Sequence, residues 1–261
     1  MQILDIDLDF FQDARFTDLA DDEDERLSAE KALPWGKEKV IIFLEKNCGL
    51  SKKQKIKGKI FTHHHEVFFE LRELIKLREL EVPFALNHID SHADLGLGVN
   101  DRSSIYIMTE LLHKPLPERA YPKQGGNDGL GSSNYLSFVI ANRWINELNF
   151  IINEQWLDDI PPSFLVELVK YDNSGMMRFG RYNFTIQLKK YTKTQIENLN
   201  YYRQECEPIG YEPKLPFNII PYDGFKLDDS CDFLFLSQSP GYTSKETDAF
   251  IDIISEYIKL Y

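Results

Sequence analysis

MQILDIDLDFF, residues 1–11, decides how the rest of the chain is read. Its apolar residues Ile3, Ile6 and Leu8 are interleaved with the carboxylates of Asp5, Asp7 and Asp9. Successive side chains of a strand point to opposite faces, so this short apolar run with alternating acids predicts a buried strand. Acids gathered toward its end predict that the strand leaves the core at a polar edge.

The same design recurs downstream. FALNHI (84–89) is strand-like and ends at DSHADLGLG (90–98), and DFLFLSQSPGY (232–242) leads into an amphipathic helix expected over about 245–260. Helical spacing is expected over 36–47, in the later part of HHHEVFFELRELIKLREL (63–80), and from about Asn134 to Ile145. GGNDGLGSS (125–133) is turn-rich, and 52–59 reads as a basic connector before a short strand at 60–62. Further strands are expected at 148–153, 182–191 and 217–221, while 155–230 is the least legible stretch. Strands alternating with helices imply an α/β fold with a mainly parallel sheet covered on both faces. At 261 residues and 43% hydrophobic content, with no repeat or linker, a single domain over 1–261 is expected.

A formal charge of -12 argues against nucleic-acid binding, because a phosphate backbone is held by clustered Lys and Arg. The acidic run DLADDEDERLSAE (18–30) is expected to be solvated and is assigned no chemistry. Cys48, Cys206 and Cys231 are odd in number and never form CxxC, which suggests neither a disulfide framework nor a zinc knuckle. No stretch approaches the roughly 18 to 20 apolar residues of a membrane-spanning helix. The start lacks the basic-then-apolar order of a signal peptide, so a cytoplasmic location is the expectation.

Five of the six histidines, His63, His64, His65, His88 and His92, fall within residues 63–92. In Asp90-Ser91-His92-Ala93-Asp94 a carboxylate, an imidazole and a carboxylate recur at every second position, so they can turn toward one point where a strand runs out. Asp7 and Asp9 have the same spacing, and Asp5 extends it inward. Carboxylates crowded into a partly buried site repel one another and resist ionisation unless opposite charge joins them. Divalent cations supply that charge. Either motif alone recurs by chance as a polar strand end or a capped loop. Both together, each after a strand and beside three consecutive histidines, point to a metal centre.

These motifs resemble those of the arginase and deacetylase superfamily, in which a DxHxD loop and a DxD strand end surround a binuclear manganese centre. LDIDLDFF (4–11), HHHEVFFE (63–70), NHIDSHADL (87–95), SNYLSFVIANRWINELNFI (133–151) and SQSPGYT (237–243) resemble more closely the arginase-like family UPF0489. Its members include peptide arginases, which turn arginine residues of ribosomally made peptides into ornithine. The resemblance implies an arginase/deacetylase-like three-layer sandwich, two Mn²⁺ per chain, and an arginine-containing precursor peptide as substrate, with urea as the second product. Carried over by position, it implies Asp7, Asp9, Asp90, His92, Asp94 and one histidine of 63–65, taken as His64, for the metal ligands. Asp90 and Asp7 match the bridging carboxylates, leaving Asp94 and His64 to one ion and His92 and Asp9 to the other.

His65 and His63 are candidates to relay a proton to the departing amine. Glu66 either assists at the site or starts the helix that follows it. His88 is either a support for the ligands or a core histidine. Asn134 and Gln238 are candidates to touch substrate, although Asn near a helix start also serves as a cap. The order differs from that of arginases, where the DxD strand follows the DxHxD loop. Ser237 and Gln238 stand where those enzymes place a glutamate for the guanidinium. The alternatives are a ureohydrolase of free arginine or another small guanidino compound, an amide deacylase, and a metal-stabilised binding module without turnover.

Overall fold

The computed structural model of the protein describes residues 1–14, 24–96, 102–156, 159–160, 182–202, 206–227 and 229–261. Strand β1 (Gln2–Asp7) opens the chain inside an eight-stranded sheet. The others are β2 (Ile56–Phe61), β3 (Phe84–Ile89), β4 (Ile145–Ile152), β5 (Tyr182–Ile186), β6 (Leu215–Pro221), β7 (Phe233–Ser237) and β8 (Ile258–Leu260). They run in the order β8-β2-β7-β1-β3-β4-β6-β5. Every neighbouring pair is parallel except β6 with β5 at one edge.

Period-two alternation sends the side chains of β1 into two cores. Ile3 joins Phe84, Leu86, Phe150, Phe217 and Phe235 on one face, beneath Phe68 and Leu71 of α2 (Glu66–Lys76), Ile107 of α3 (Ser103–Thr109) and Phe138 of α4 (Tyr135–Ala141). Leu4 and Ile6 join Leu234 and Leu236 on the other, against Val40 of α1 (Lys37–Ile42) and Phe250 and Ile254 of α5 (Ala249–Ser255). Apolar area buried on both sides of a sheet is the main stabilising contribution here, at about 25 cal/mol per Å². Helices on both faces of a mostly parallel sheet are compatible with a three-layer sandwich. Among the described residues no helix is long and apolar enough to cross a membrane.

Three expectations shift. The supposed connector 52–59 contains most of β2, which begins at Ile56. Its lysines hide the strand pattern, because Lys57 and Lys59 carry their ammonium groups out to Glu79 and Glu70. Between them Gly58 is required, since a Cβ there would sit 1.9 Å from the Leu234 carbonyl oxygen. The helix expected to run to about 260 ends at Ser255, and Ile258–Leu260 instead adds β8 beside β2. The helix expected to reach Ile145 stops at Ala141, and Arg143 at φ 57° turns the chain into β4. Part of the acidic run and most of 155–181 lie outside the described residues.

Parallel strands place their carboxyl ends on one edge. From β1 the chain crosses to β2 on one side, and from β3 to β4 on the other, so the loops after β1 and β3 diverge and leave a crevice. All the expected ligands sit at that edge.

Candidate metal centre

Asp7 is the last residue of β1, and Asp9 lies in the 3₁₀ turn Leu8–Phe11 that follows. His64 comes three residues after β2, and Asp90 immediately after β3. His92 and Asp94 lie in the loop beyond, where Asp94 takes a left-handed φ of 47°, a conformation Asp tolerates better than most residues. All six expected ligands meet there.

Three carboxylate oxygens converge on one nitrogen. His64 Nδ1 lies 2.9 Å from Asp7 Oδ2, 3.1 Å from Asp90 Oδ2 and 3.0 Å from Asp94 Oδ2. A ring nitrogen carries at most one hydrogen, which cannot serve three oxygens. His64 Nδ1, Asp90 Oδ2 and Asp94 Oδ2 in fact make no hydrogen bond, although each is buried. Atoms bound about 2.1 Å from a hard octahedral cation lie about 3 Å apart, which is the spacing seen here. On the other side, His92 Nδ1 lies 2.8 Å from Asp9 Oδ2 and 3.7 Å from Asp90 Oδ1. Asp90 therefore turns one oxygen toward each group. The sets Asp7, His64, Asp90 and Asp9, Asp90, His92 each bring ligand atoms within 4.8 Å of one another and could hold a metal ion. Asp7 stands in the first set only; its other oxygen accepts the Asp9 N–H at 3.1 Å. His92 is the most exposed of the six, its side chain 17% accessible against 1% for His64 and Asp90.

Burial and charge crowding set the protonation of the metal-free cluster. Burial, with repulsion from Asp90 and Asp7, pushes the Asp9 carboxyl well above its usual range. Burial and the Asp90 charge raise Asp94 to about 7. Burial also works against ionising Asp90, but His88, His64 and His92 outweigh it and hold that carboxyl well below the ordinary value. His64 and His92 are disfavoured as cations by burial, yet the acidic groups around them raise both. The fit is with a divalent cation, which would replace the protons that this crowd otherwise retains.

Behind the ligands stands a polar network that spacing reveals only in part. Asp5, pointing to the same face as Asp7, is fully buried and accepts from the Tyr135 hydroxyl; its Oδ2 lies 3.2 Å from His64 Nε2 and 3.3 Å from His88 Nδ1. A carboxylate on the far nitrogen of His64 fixes the ring with Nδ1 toward the cluster. His88 faces acceptors with both nitrogens, Asp5 on one side and the His92 carbonyl oxygen (3.0 Å) and Asp90 Oδ2 (3.2 Å) on the other. Burial opposes its charge, but Asp90 and Asp5 raise its pKa to about 10. Its ring also falls within two further sets that could hold an ion, Asp5, His64, His88 and His88, Asp90, Asp94. Ser239, in a left-handed conformation at φ 48°, donates its hydroxyl to Asp7 Oδ2. The alternation of β1 already extends inward to Asp5; Tyr135 and Ser239 come from distant segments and carry no spacing signal.

The accessory candidates are placed as follows. His63 Nε2 lies 3.4 Å from Asp24, and its ring stacks on His65 at 5.7 Å. His65 Nδ1 lies 3.0 Å from Ser132 Oγ. Glu66 accepts the backbone N–H groups of Thr62 and His63 at 2.9 and 2.8 Å, the work of a helix-start residue. Asn134 accepts the Gly131 N–H and donates to the Gly129 carbonyl, bracing the turn-rich loop. Gln238 donates to Asp248, whose carboxylate also takes Arg26. None of His63, His65 and Glu66 belongs to a set of converging ligand atoms. Tyr242 packs its ring edge-on to His92 at 5.1 Å. Clefts of about 450 and 300 Å³ elsewhere take none of their lining from the six.

No family model and no curated protein matches this chain.

Proposed function

We propose that the chain is a manganese-dependent hydrolase with an arginase/deacetylase-like fold that converts arginine residues of a peptide to ornithine and releases urea. The observation that carries this reading is the convergence of Asp7, Asp90 and Asp94 on His64 Nδ1, with Asp90 shared by Asp9 and His92. Four carboxylates and two imidazoles form a mostly hard donor set, which suits Mn²⁺. Two such ions, when bound, supply Lewis acidity and make water acidic enough to react near neutral pH.

The chain's own residues do the rest. Asp5 orients His64, and the Asp90 carboxylate ties the two ligand groups into one rigid unit. Their near-complete burial keeps bulk water from screening the charges that a cationic guanidinium meets. In the reaction the carbon–nitrogen bond to the arginine side chain breaks, water contributes the oxygen of urea, and the departing nitrogen gains a proton. The stacked His63 and His65 are the groups in this reading that bring it, with His65 steadied by Ser132. Asn134 and Gln238, both engaged with neighbouring loops, shape the approach of the peptide.

The test is incubation of Mn²⁺-loaded protein with free arginine, with arginine-containing peptides and with acyl-lysine peptides, followed by urea assay and mass spectrometry. Urea and an ornithine-containing peptide are expected. Urea from free arginine alone would move the reading to a ureohydrolase, and deacylation alone to an amidase. No product from metal-loaded protein would leave the metal-stabilised binding module in its place.

A further inference from the structure

The ligand-bearing loop is held from a segment that contributes no ligand. In Asp90-Ser91-His92-Ala93-Asp94 the ligands are the odd members, and Ser91 and Ala93 lie between them. Past Asp90, whose N–H still reaches the Ile151 carbonyl at 3.3 Å, the loop leaves the sheet ladder, and Asp94 is in a left-handed conformation that its surroundings must hold.

Asn153 and Asp159, both 5% exposed, sit after β4 and grip the two interleaved residues. Asn153 donates from Nδ2 to Ser91 Oγ at 2.8 Å and to the Phe10 carbonyl oxygen at 3.3 Å. Ser91 hands the contact on, its hydroxyl donating to the Asp9 carbonyl oxygen and its N–H to Asp9 Oδ1, both at 3.2 Å. Asp159 accepts the Ala93 N–H on Oδ2 at 2.7 Å and the Trp156 indole N–H on Oδ1 at 2.8 Å. Trp156 is itself buried edge-on against Phe150 at 5.7 Å, so the carboxylate is anchored to the sheet.

We infer that Asn153 and Asp159 are positioning residues of the metal centre, fixing the directions of Asp9, Asp90, His92 and Asp94 through Ser91 and Ala93. The inference rests on reading the cluster as a metal centre. A carboxylate is favoured at 159 because the two N–H donors approach different oxygens, and a carboxamide would turn its NH₂ toward one of them. Such a charge-assisted bond is also about twice as strong as a neutral one.

The test compares wild type, Asp159→Asn, Asp159→Glu, Trp156→Phe and Asn153→Ala by calorimetric titration with Mn²⁺, alongside thermal unfolding in excess chelator. Asp159→Asn, close in shape to the native residue, and Asn153→Ala are each expected to bind Mn²⁺ about 10- to 100-fold more weakly. Asp159→Glu is expected to recover part of that loss, and Trp156→Phe to lose less than Asp159→Asn. A purely structural role would lower the unfolding temperature in chelator and leave the affinity of folded protein unchanged. Wild-type Mn²⁺ affinity in both Asp159→Asn and Asn153→Ala would overturn the inference. Absence of Mn²⁺ binding by wild type would instead remove the metal-centre reading, and this inference with it.

Discussion

Two rows of polar side chains cross the same sheet on opposite faces, and only one of them is complete. On the face away from the metal cluster, Gln2, Asn87, Asn149 and Asn218 form an amide ladder, the three asparagines standing in register on β3, β4 and β6. Asn87 donates to Gln2 Oε1 and the Ile3 carbonyl, Asn149 to Asn87 Oδ1 at 3.0 Å, and Asn218 to Asn149 Oδ1 at 2.8 Å and Glu147 Oε1 at 2.9 Å. Amides carry both donors and acceptors, so they pair with one another, and the Ile3 carbonyl and Glu147 accept further donors. On the other face the acids and imidazoles leave Asp5 Oδ1, His64 Nδ1, Asp90 Oδ2 and Asp94 Oδ2 buried without a hydrogen bond. Orphaned polar atoms in an interior cost about 1 to 3 kcal/mol each, and more when charged. The ladder is finished architecture. The cluster is a crowd of charges whose geometry could hold a metal ion.

That contrast is open to perturbation at several strengths. Replacing His64 by Ala removes the nitrogen on which three carboxylates converge, and Mn²⁺ affinity measured by titration is expected to fall by more than about 100-fold. Next comes pH. In the metal-free protein Asp94 is raised to about 7 from an ordinary 3.8, mainly by burial and then by Asp90. The folded chain thus holds this proton more tightly than the unfolded chain, and the stability it contributes is lost as pH rises from about 4 through about 7. Asp9, His64 and His92, also raised, act in the same direction. Mn²⁺ needs the deprotonated ligands, so its affinity is expected to rise at least about tenfold between about pH 5.5 and pH 8. The unfolding temperatures of metal-loaded and chelated protein should separate over that interval; curves that stay parallel would contradict the proton exchange.

A smaller effect is expected from Tyr135→Phe, which deletes the hydroxyl on Asp5 while keeping the ring. Mn²⁺ binding should weaken by about tenfold, with the fold retained in circular dichroism. The smallest comes from the ladder. Asn218→Ala should lower stability by about 1 kcal/mol in denaturant unfolding and leave Mn²⁺ affinity as it is, because its partners belong to the other face.

How much of this was legible in the sequence follows from the range of each interaction. Asp7, Asp9, Asp90, His92 and Asp94 stand at alternate positions after strands, a local pattern that needs no knowledge of the fold. The choice of His64 over His63 and His65 could not come from spacing, since it depends on how the turn before α2 presents the three rings. Tyr135 reaches Asp5 across 130 residues, and Ser239 reaches Asp7 across 232, distances at which no sequence period operates. The lysines of β2 masked a strand, and the terminal Ile258–Leu260 resembled a helix end until its pairing with β2 was in place.

The most direct measurement is the manganese content of purified, Mn²⁺-incubated wild type and Asp90→Asn by elemental analysis. Asp90 is the one carboxylate that faces both ligand groups, so wild type is expected to retain about two ions per chain and the variant to lose them. Wild-type protein that emerges free of manganese, or an Asp90→Asn variant that keeps its full complement, would contradict the assignment of this cluster as a metal centre.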